Sequence, residues 1–141
     1  MIFVDTAAWV AISLKNDRFH TAAVRAQKKL LRSKEGLLTS NFVVDETLAV
    51  LLYQAGYLPA IRFHNLLELM IEAGIVSVLH VTEEVEEKAW QVFKTFNVDK
   101  EWSFTDCTSK VLMDATRTIE IFTFDHHFDQ MGFLCVPGKV G

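Results

Sequence analysis

Four acidic positions carry the residue type and the placement that phosphate chemistry needs. Asp5 closes the apolar run Met1-Ile2-Phe3-Val4, and Asp125 closes the run from Ile119 to Phe124. Asp106 stands in Ser103-Phe104-Thr105-Asp106 at the head of a helical segment, and an acid at position 45 or 46 follows Thr39-Ser40-Asn41. Glu46 shares a helical face with Phe42, Ala49, Val50 and Tyr53, so it interrupts an apolar stripe. Asp45 lies about 100° around the same helix, on the side of Leu48 and Leu52. Spacing does not choose between the two. Carboxylates a few ångströms apart raise one another's pKa or must be neutralised. No Lys or Arg adjoins these acids in sequence. Their convergence would therefore call for a cation, and hard oxygen donors suit Mg²⁺ or Mn²⁺ better than zinc. Such an ion keeps several waters, can activate one of them and can stabilise a phosphoryl oxygen, which is the equipment of a phosphodiester hydrolase. Each acid also has a plainer reading by itself. Asp106 fits the third position of a capping box, and Asp5 fits a polar strand end that caps a helix. A buried acid at position 46 would need a partner.

The acids matter only if the chain brings them together. Short β-branched and aromatic runs alternate with helical segments. Strands are predicted at Met1 to Val4, Leu37 to Thr39, Ile75 to Val81, Ile119 to Phe124 and Phe133 to Val136, the last stopped by Pro137-Gly138. Helices are predicted from Ala7 to Leu14, with Thr6 as cap, and from His20 to Arg32. Ser40 caps a helix from Asn41 to Gln54 that Gly56 stops, and another runs from Leu58 to Glu72 with Pro59 in its first turn. Thr82 caps a helix to Phe96 whose positive first turn holds Glu83, Glu84 and Glu86, and a further helix follows Ser103 to Arg117. Strands separated by helices imply an α/β fold, a parallel sheet with helices on both faces. Ligands of such sheets bind outside the carboxyl ends of the strands, where Asp5 and Asp125 fall.

Composition bounds the rest. A chain of 141 residues, half of them hydrophobic, is expected to form a single domain over residues 1–141 with a substantial core. No segment is long and uncharged enough to span a bilayer, and the N-terminus lacks the basic start of a signal peptide. Cys107 and Cys135 are too few for a disulfide framework or a cysteine zinc site, so a reducing, cytoplasmic setting and buried thiols are expected. The net charge of −4 excludes a uniformly basic surface but not a local nucleic-acid site. The sequence has no P-loop, no G-x-G-x-x-G and no Ser–His–Asp pattern. A metal-dependent phosphatase on a doubly wound sheet would carry a second Asp near Asp5, and none is there.

The ordered segments Ile2-Phe3-Val4-Asp5-Thr6-Ala7, Thr39-Ser40-Asn41-Phe42-Val43-Val44-Asp45-Glu46-Thr47, Ser103-Phe104-Thr105-Asp106-Cys107 and Thr123-Phe124-Asp125-His126-His127-Phe128 resemble the PIN domain, especially the VapC-type toxins of toxin–antitoxin pairs. The resemblance runs through nearly the whole chain. It implies a PIN-like three-layer fold with a five-stranded, mostly parallel sheet flanked by helices. It also implies a metal-dependent endoribonuclease that holds Mg²⁺ or Mn²⁺ on Asp5, Glu46, Asp106 and Asp125, and so selects Glu46 over Asp45. Ser103 or Thr105 would help order the site, and Thr6 would hydrogen-bond beside Asp5. A homodimer and a cognate antitoxin are the implied protein partners, with RNA as substrate. Two other readings share the fold: a stand-alone RNA-processing nuclease without an antitoxin, and an inactive binding module. The four retained acids argue against the latter.

Other features have weaker claims. Arg25, Lys28, Lys29 and Arg32 share a face of the second helix, as a phosphate-tracking edge or simply a solvated surface. The segment from Leu58 to Ile71 carries apolar residues on more than one face, which suggests an interface beyond its core contact. Trp90, Phe93 and Phe96 read as core. A neutral imidazole of His126 or His127 could approach a metal or a phosphate, but the favoured reading is two partly exposed loop residues. Asp129 resembles an extra acid that some family members carry, but is read as a loop residue, and His20, His64 and His80 as structural.

Overall fold

In the computed structural model, which describes residues 1–138, five strands form one wholly parallel sheet. The elements in chain order are β1 (Ile2–Val4), α1 (Thr6–Ser13), α2 (His20–Ser33), β2 (Leu37–Ser40), α3 (Asn41–Ala55), α4 (Tyr57–Glu72), β3 (Val76–Leu79), α5 (Glu83–Phe96), α6 (Phe104–Ala115), β4 (Glu120–Phe122), α7 (His127–Gln130) and β5 (Leu134–Val136). The strand order is β3-β2-β1-β4-β5. The first three strands step outward in one direction, and the chain then returns to add β4 and β5 on the other side of β1. The switch point therefore lies between β1 and β4, where a doubly wound sheet opens a crevice. Their register pairs Val4 with Phe122, so the residues that leave both strands emerge side by side.

The core forms because the central strands bury both faces. Ile2, Phe3, Val4, Leu37, Leu38, Ile121 and Phe122 are all buried, as expected of parallel strands covered by helices. Trp9 of α1 packs edge-on against Phe63 of α4 at 5.5 Å. Its indole N–H donates to Thr39 Oγ1 at 3.3 Å, and that hydroxyl donates to the Val4 carbonyl at 3.0 Å, so these two buried side chains are both paired.

Several element ends differ from the sequence expectation, each for a local reason. Asp5, not Thr6, occupies the cap position of α1. The third strand is shorter than Ile75 to Val81, because the Val81 N–H goes to the Asn41 side chain at 2.8 Å instead of a ladder partner. The fourth strand ends at Phe122 rather than Phe124, because the Thr123 hydroxyl accepts the Asp125 N–H at 3.0 Å and turns the chain off the sheet. A one-turn helix, α7, occupies the stretch expected as loop. Trp90 and Phe96 are exposed rather than core. The reason is that α5 packs on α6 around a small second cluster of Ala89, Trp102 and Cys107, so these two rings are left on its rim. Among the described residues, no helix is long and apolar enough to cross a membrane.

Candidate active site

A cavity of about 490 Å³ opens at the carboxyl end of the sheet, and Asp5, Glu46, Asp106 and Asp125 all line it. Each arrives on a different element. Asp5 leaves β1 and caps α1. Glu46 lies in the second turn of α3, whose start is fixed by Ser40 accepting the Val43 N–H at 3.1 Å. Asp45, one residue earlier, is exposed and does not line the cavity. Asp106 sits in the first turn of α6, and the capping box is complete. Ser103 Oγ accepts the Asp106 N–H at 3.0 Å, and the Ser103 N–H donates to Asp106 Oδ2 at 3.3 Å. The structural and chemical readings of Asp106 therefore coexist in one side chain. The cap orients the carboxylate that the cavity uses.

The electrostatics follow from burial and like charge. Burial pushes the Asp5 carboxyl up to about 8, and the neighbouring Asp106 charge adds to the rise. Burial also raises Asp106, although a hydrogen bond from His127 opposes it. Asp5 Oδ2 accepts a hydrogen bond from Thr123 Oγ1 at 3.0 Å, whereas Asp5 Oδ1 is buried with no hydrogen-bond partner. An orphaned carboxylate oxygen in the wall of a four-acid cavity is costly without a cation. The donor set therefore fits a divalent ion held by oxygen ligands.

Six other residues help build this site. Thr123 joins Asp5 to the Asp125 turn, and its signal was its place two residues before the strand-end acid. The His127 ring Nδ1 lies 3.0 Å from Asp106 Oδ2 and 3.2 Å from Asp125 Oδ1, so this histidine bridges two of the acids rather than lying idle in a loop. Asp125, His126 and His127 each present a ligand atom within 4.8 Å of the others, although His126 is exposed. Asp17, Arg18 and Phe19, from the connection between α1 and α2, complete the cavity wall. Asp17 Oδ1 accepts the Phe19 N–H at 2.8 Å and shapes that turn. Nothing in the local pattern marks Arg18 or Phe19, because packing of the connection against Phe124 brings them there.

The remaining expected residues are placed as follows. Thr6 lines the cavity, but its hydroxyl is buried without a partner and makes no hydrogen bond beside Asp5. Ser103 acts through the cap of Asp106. The Thr105 carbonyl accepts the Thr108 hydroxyl at 2.7 Å, and Thr105 does not line the cavity. Arg25, Lys28, Lys29 and Arg32 are exposed along α2, outside the acid cavity. That helix starts beside Phe124 and runs toward the start of β2. At about 1.5 Å per residue, Arg32 lies roughly 18 Å from the helix start. Asp129 is an exposed residue of α7 that lines an adjoining cavity instead. Cys107 is fully buried, while Cys135 is only partly so. His20 Nδ1 lies 2.7 Å from the Ala11 carbonyl and ties α2 to α1. His64 and His80 are surface residues. Phe63, Leu67 and Met70 of α4 are buried, but Leu58, Ile61, Leu66, Leu69 and Ile71 are exposed.

Comparison with known proteins agrees with this fold. The chain is 33% identical over 135 residues to the 23S rRNA-specific endonuclease VapC20 of Mycobacterium tuberculosis, covering 95% of this chain and 96% of that one. It is 31% identical over 126 residues to a VapC ribonuclease of Archaeoglobus fulgidus, covering 89% and 77% respectively. The crystal structure of the Mycobacterium tuberculosis VapC20, described as a sarcin–ricin loop cleaving toxin, superposes with a TM-score of 0.81 at 32% identity, over 95% of this chain and 97% of that one. The PIN domain profile matches residues 2–134. Family profile, sequence relatives and architecture converge along nearly the full length, and the chain belongs to the PIN domain family.

Proposed function

We propose that this protein is a metal-dependent endoribonuclease that hydrolyses RNA phosphodiester bonds, the toxin of a VapC-type toxin–antitoxin pair. The observation that carries the reading is the convergence of Asp5, Glu46, Asp106 and Asp125 on one cavity at the switch point of the sheet, with Asp5 Oδ1 unpartnered. The curated relatives are named as VapC endonucleases and ribonucleases, which supports carrying the reaction class to this chain. Asp5, Glu46, Asp106 and Asp125 would hold Mg²⁺ or Mn²⁺. When bound, the ion supplies activation of water and charge stabilisation at the phosphate. The chain's own contribution is placement. Thr123 orients Asp5, Ser103 orients Asp106, and His127 spans Asp106 and Asp125. The cavity stays open on its solvent side for a strand of RNA. A cytoplasmic location, a cognate antitoxin and a homodimer built on the exposed apolar face of α4 belong to the same reading.

The test is cleavage of structured RNA, single-stranded RNA and DNA by the purified chain, with Mn²⁺, with Mg²⁺ and with EDTA, beside Asp5→Asn. RNA cleavage that needs metal and disappears in the variant is the expected result. Cleavage that persists in EDTA or in Asp5→Asn would refute the assignment.

A further inference from the structure

A second cavity, of about 480 Å³, adjoins the acid cavity and is largely apolar. The two share Phe19, Phe124, Asp125 and His126 as a common wall. Phe133 and Leu134 line the far side. Phe19 and Phe124 are stacked at 4.7 Å with their planes 5° apart, so the dividing wall is a rigid aromatic pair. The Arg18 guanidinium lies over the Phe19 ring, 4.7 Å from its centroid, and lines the acid cavity. Arg18 makes no ion pair among the described residues, although four acids line the same cavity. Its charge is therefore held at the cavity wall without being spent on the carboxylates.

We propose that the adjoining cavity is a nucleobase subsite, and that Arg18 holds a phosphate of the same nucleotide. This rests on the ribonuclease reading. A phosphate at the acids leaves its nucleotide's base beside the shared wall, where it meets aromatic and aliphatic side chains rather than water. Every base has a π-face that stacks on such a surface, and a guanidinium is suited to phosphate oxygens. The cavity's continuity with the acid site, and the cation on the acid-site side of the shared Phe19 wall, favour a nucleotide over an apolar peptide.

The experiment compares binding of adenosine 5′-monophosphate, uridine 5′-monophosphate and ribose 5-phosphate to the Mg²⁺-loaded wild-type protein by titration calorimetry or NMR. The nucleotides should bind about tenfold tighter than the base-less phosphate. Leu134→Trp, which fills the cavity from an exposed position, should erase that difference while leaving ribose 5-phosphate binding unchanged. Arg18→Ala should weaken all three ligands severalfold while keeping the wild-type far-UV circular dichroism spectrum. Equal affinity for nucleotides and ribose 5-phosphate would overturn the base subsite and leave the cavity to a protein partner. Arg18→Ala that binds all three phosphates normally would overturn the role of Arg18. Because these are binding measurements, they can fail while RNA cleavage stands, and absent cleavage would count against the ribonuclease reading separately.

Discussion

Thr123 Oγ1 donates a hydrogen bond to Asp5 Oδ2 at 3.0 Å, joining residues 118 positions apart at the seam between β1 and β4. The same hydroxyl accepts the Asp125 N–H at 3.0 Å. One side chain thus sets the orientation of the first acid and the path of the backbone that carries the last. Thr123→Val keeps the shape and removes both bonds. It should cost about 1–3 kcal/mol, because a buried carboxylate and a backbone N–H each lose a partner. That corresponds to a fall in melting temperature of roughly 3–10 °C. Thr123→Ser should restore most of it. A Thr123→Val protein with unchanged melting temperature and metal affinity would show that the hydroxyl orients nothing.

The raised Asp5 carboxyl makes the stability of the metal-free protein depend on pH. Its ordinary value is 3.8, and burial moves it to about 8 in the folded chain. Between these values the native state keeps a proton that the unfolded chain has released. Stability is therefore fully present below the lower value and is lost as pH rises through the upper one. In EDTA, the melting temperature should fall by on the order of 10 °C from pH 5 to pH 8. Asp5→Asn should flatten the profile and melt above the metal-free wild type at pH 8. Millimolar Mg²⁺ or Mn²⁺ should reverse the trend in the wild type, since the ion binds only the native, ionised site. A flat wild-type profile in EDTA would contradict the buried-acid account.

His127, for which the sequence favours a loop role over an approach to the metal, is a member of the site. Its Nδ1 lies within hydrogen-bond reach of Asp106 Oδ2 and close to Asp125 Oδ1. His127→Ala keeps the backbone N–H bond to Asp125 Oδ1 at 2.9 Å and removes only the ring. Metal affinity and kcat/KM should fall by about 10–100-fold, the usual effect of losing a partner that orients ligands. His127→Gln, which can donate from its amide, should recover part of the loss. If His127→Ala cleaves and binds metal like the wild type, the bridge is incidental.

What the sequence revealed and what it hid divide along physical lines. Asp5, Asp106 and Asp125 were legible because each marks a local boundary: a strand end, a helix start or a turn. Their convergence was legible only through the family resemblance, because it depends on the pairing of Val4 with Phe122 across the whole chain. His127 was misjudged because a four-residue helix is too short to display a helical period. Arg18 and Phe19 lie in a connection without regular structure, and the stacking of Phe19 on Phe124 brings them to the site. Trp90 and Phe96 had the spacing of core residues, but α5 and α6 pack around the small cluster of Ala89, Trp102 and Cys107 and leave these two rings exposed on its rim.

The apolar excess of α4 survives folding and gives the final prediction. Leu58 and Leu69 are 59% and 64% exposed, while Phe63, Leu67 and Met70 of the same helix are buried. Leu58, Ile61 and Leu69 recur at helical spacing, so they form a stripe separate from the core face. Tyr57, the first residue of the same helix, is also exposed at 68%. A water-facing stripe of this size is stabilised by covering it, and a second copy of the chain can do so symmetrically. Sedimentation should find a dimer for the wild type. Leu69→Glu places an unpaired charge in that contact and should weaken association on the order of a hundredfold. Because Leu69 does not contribute to the buried core, the variant should keep its helical content and its acid cavity. A wild-type monomer, or a Leu69→Glu dimer as tight as the parent, would assign this stripe to something other than self-association.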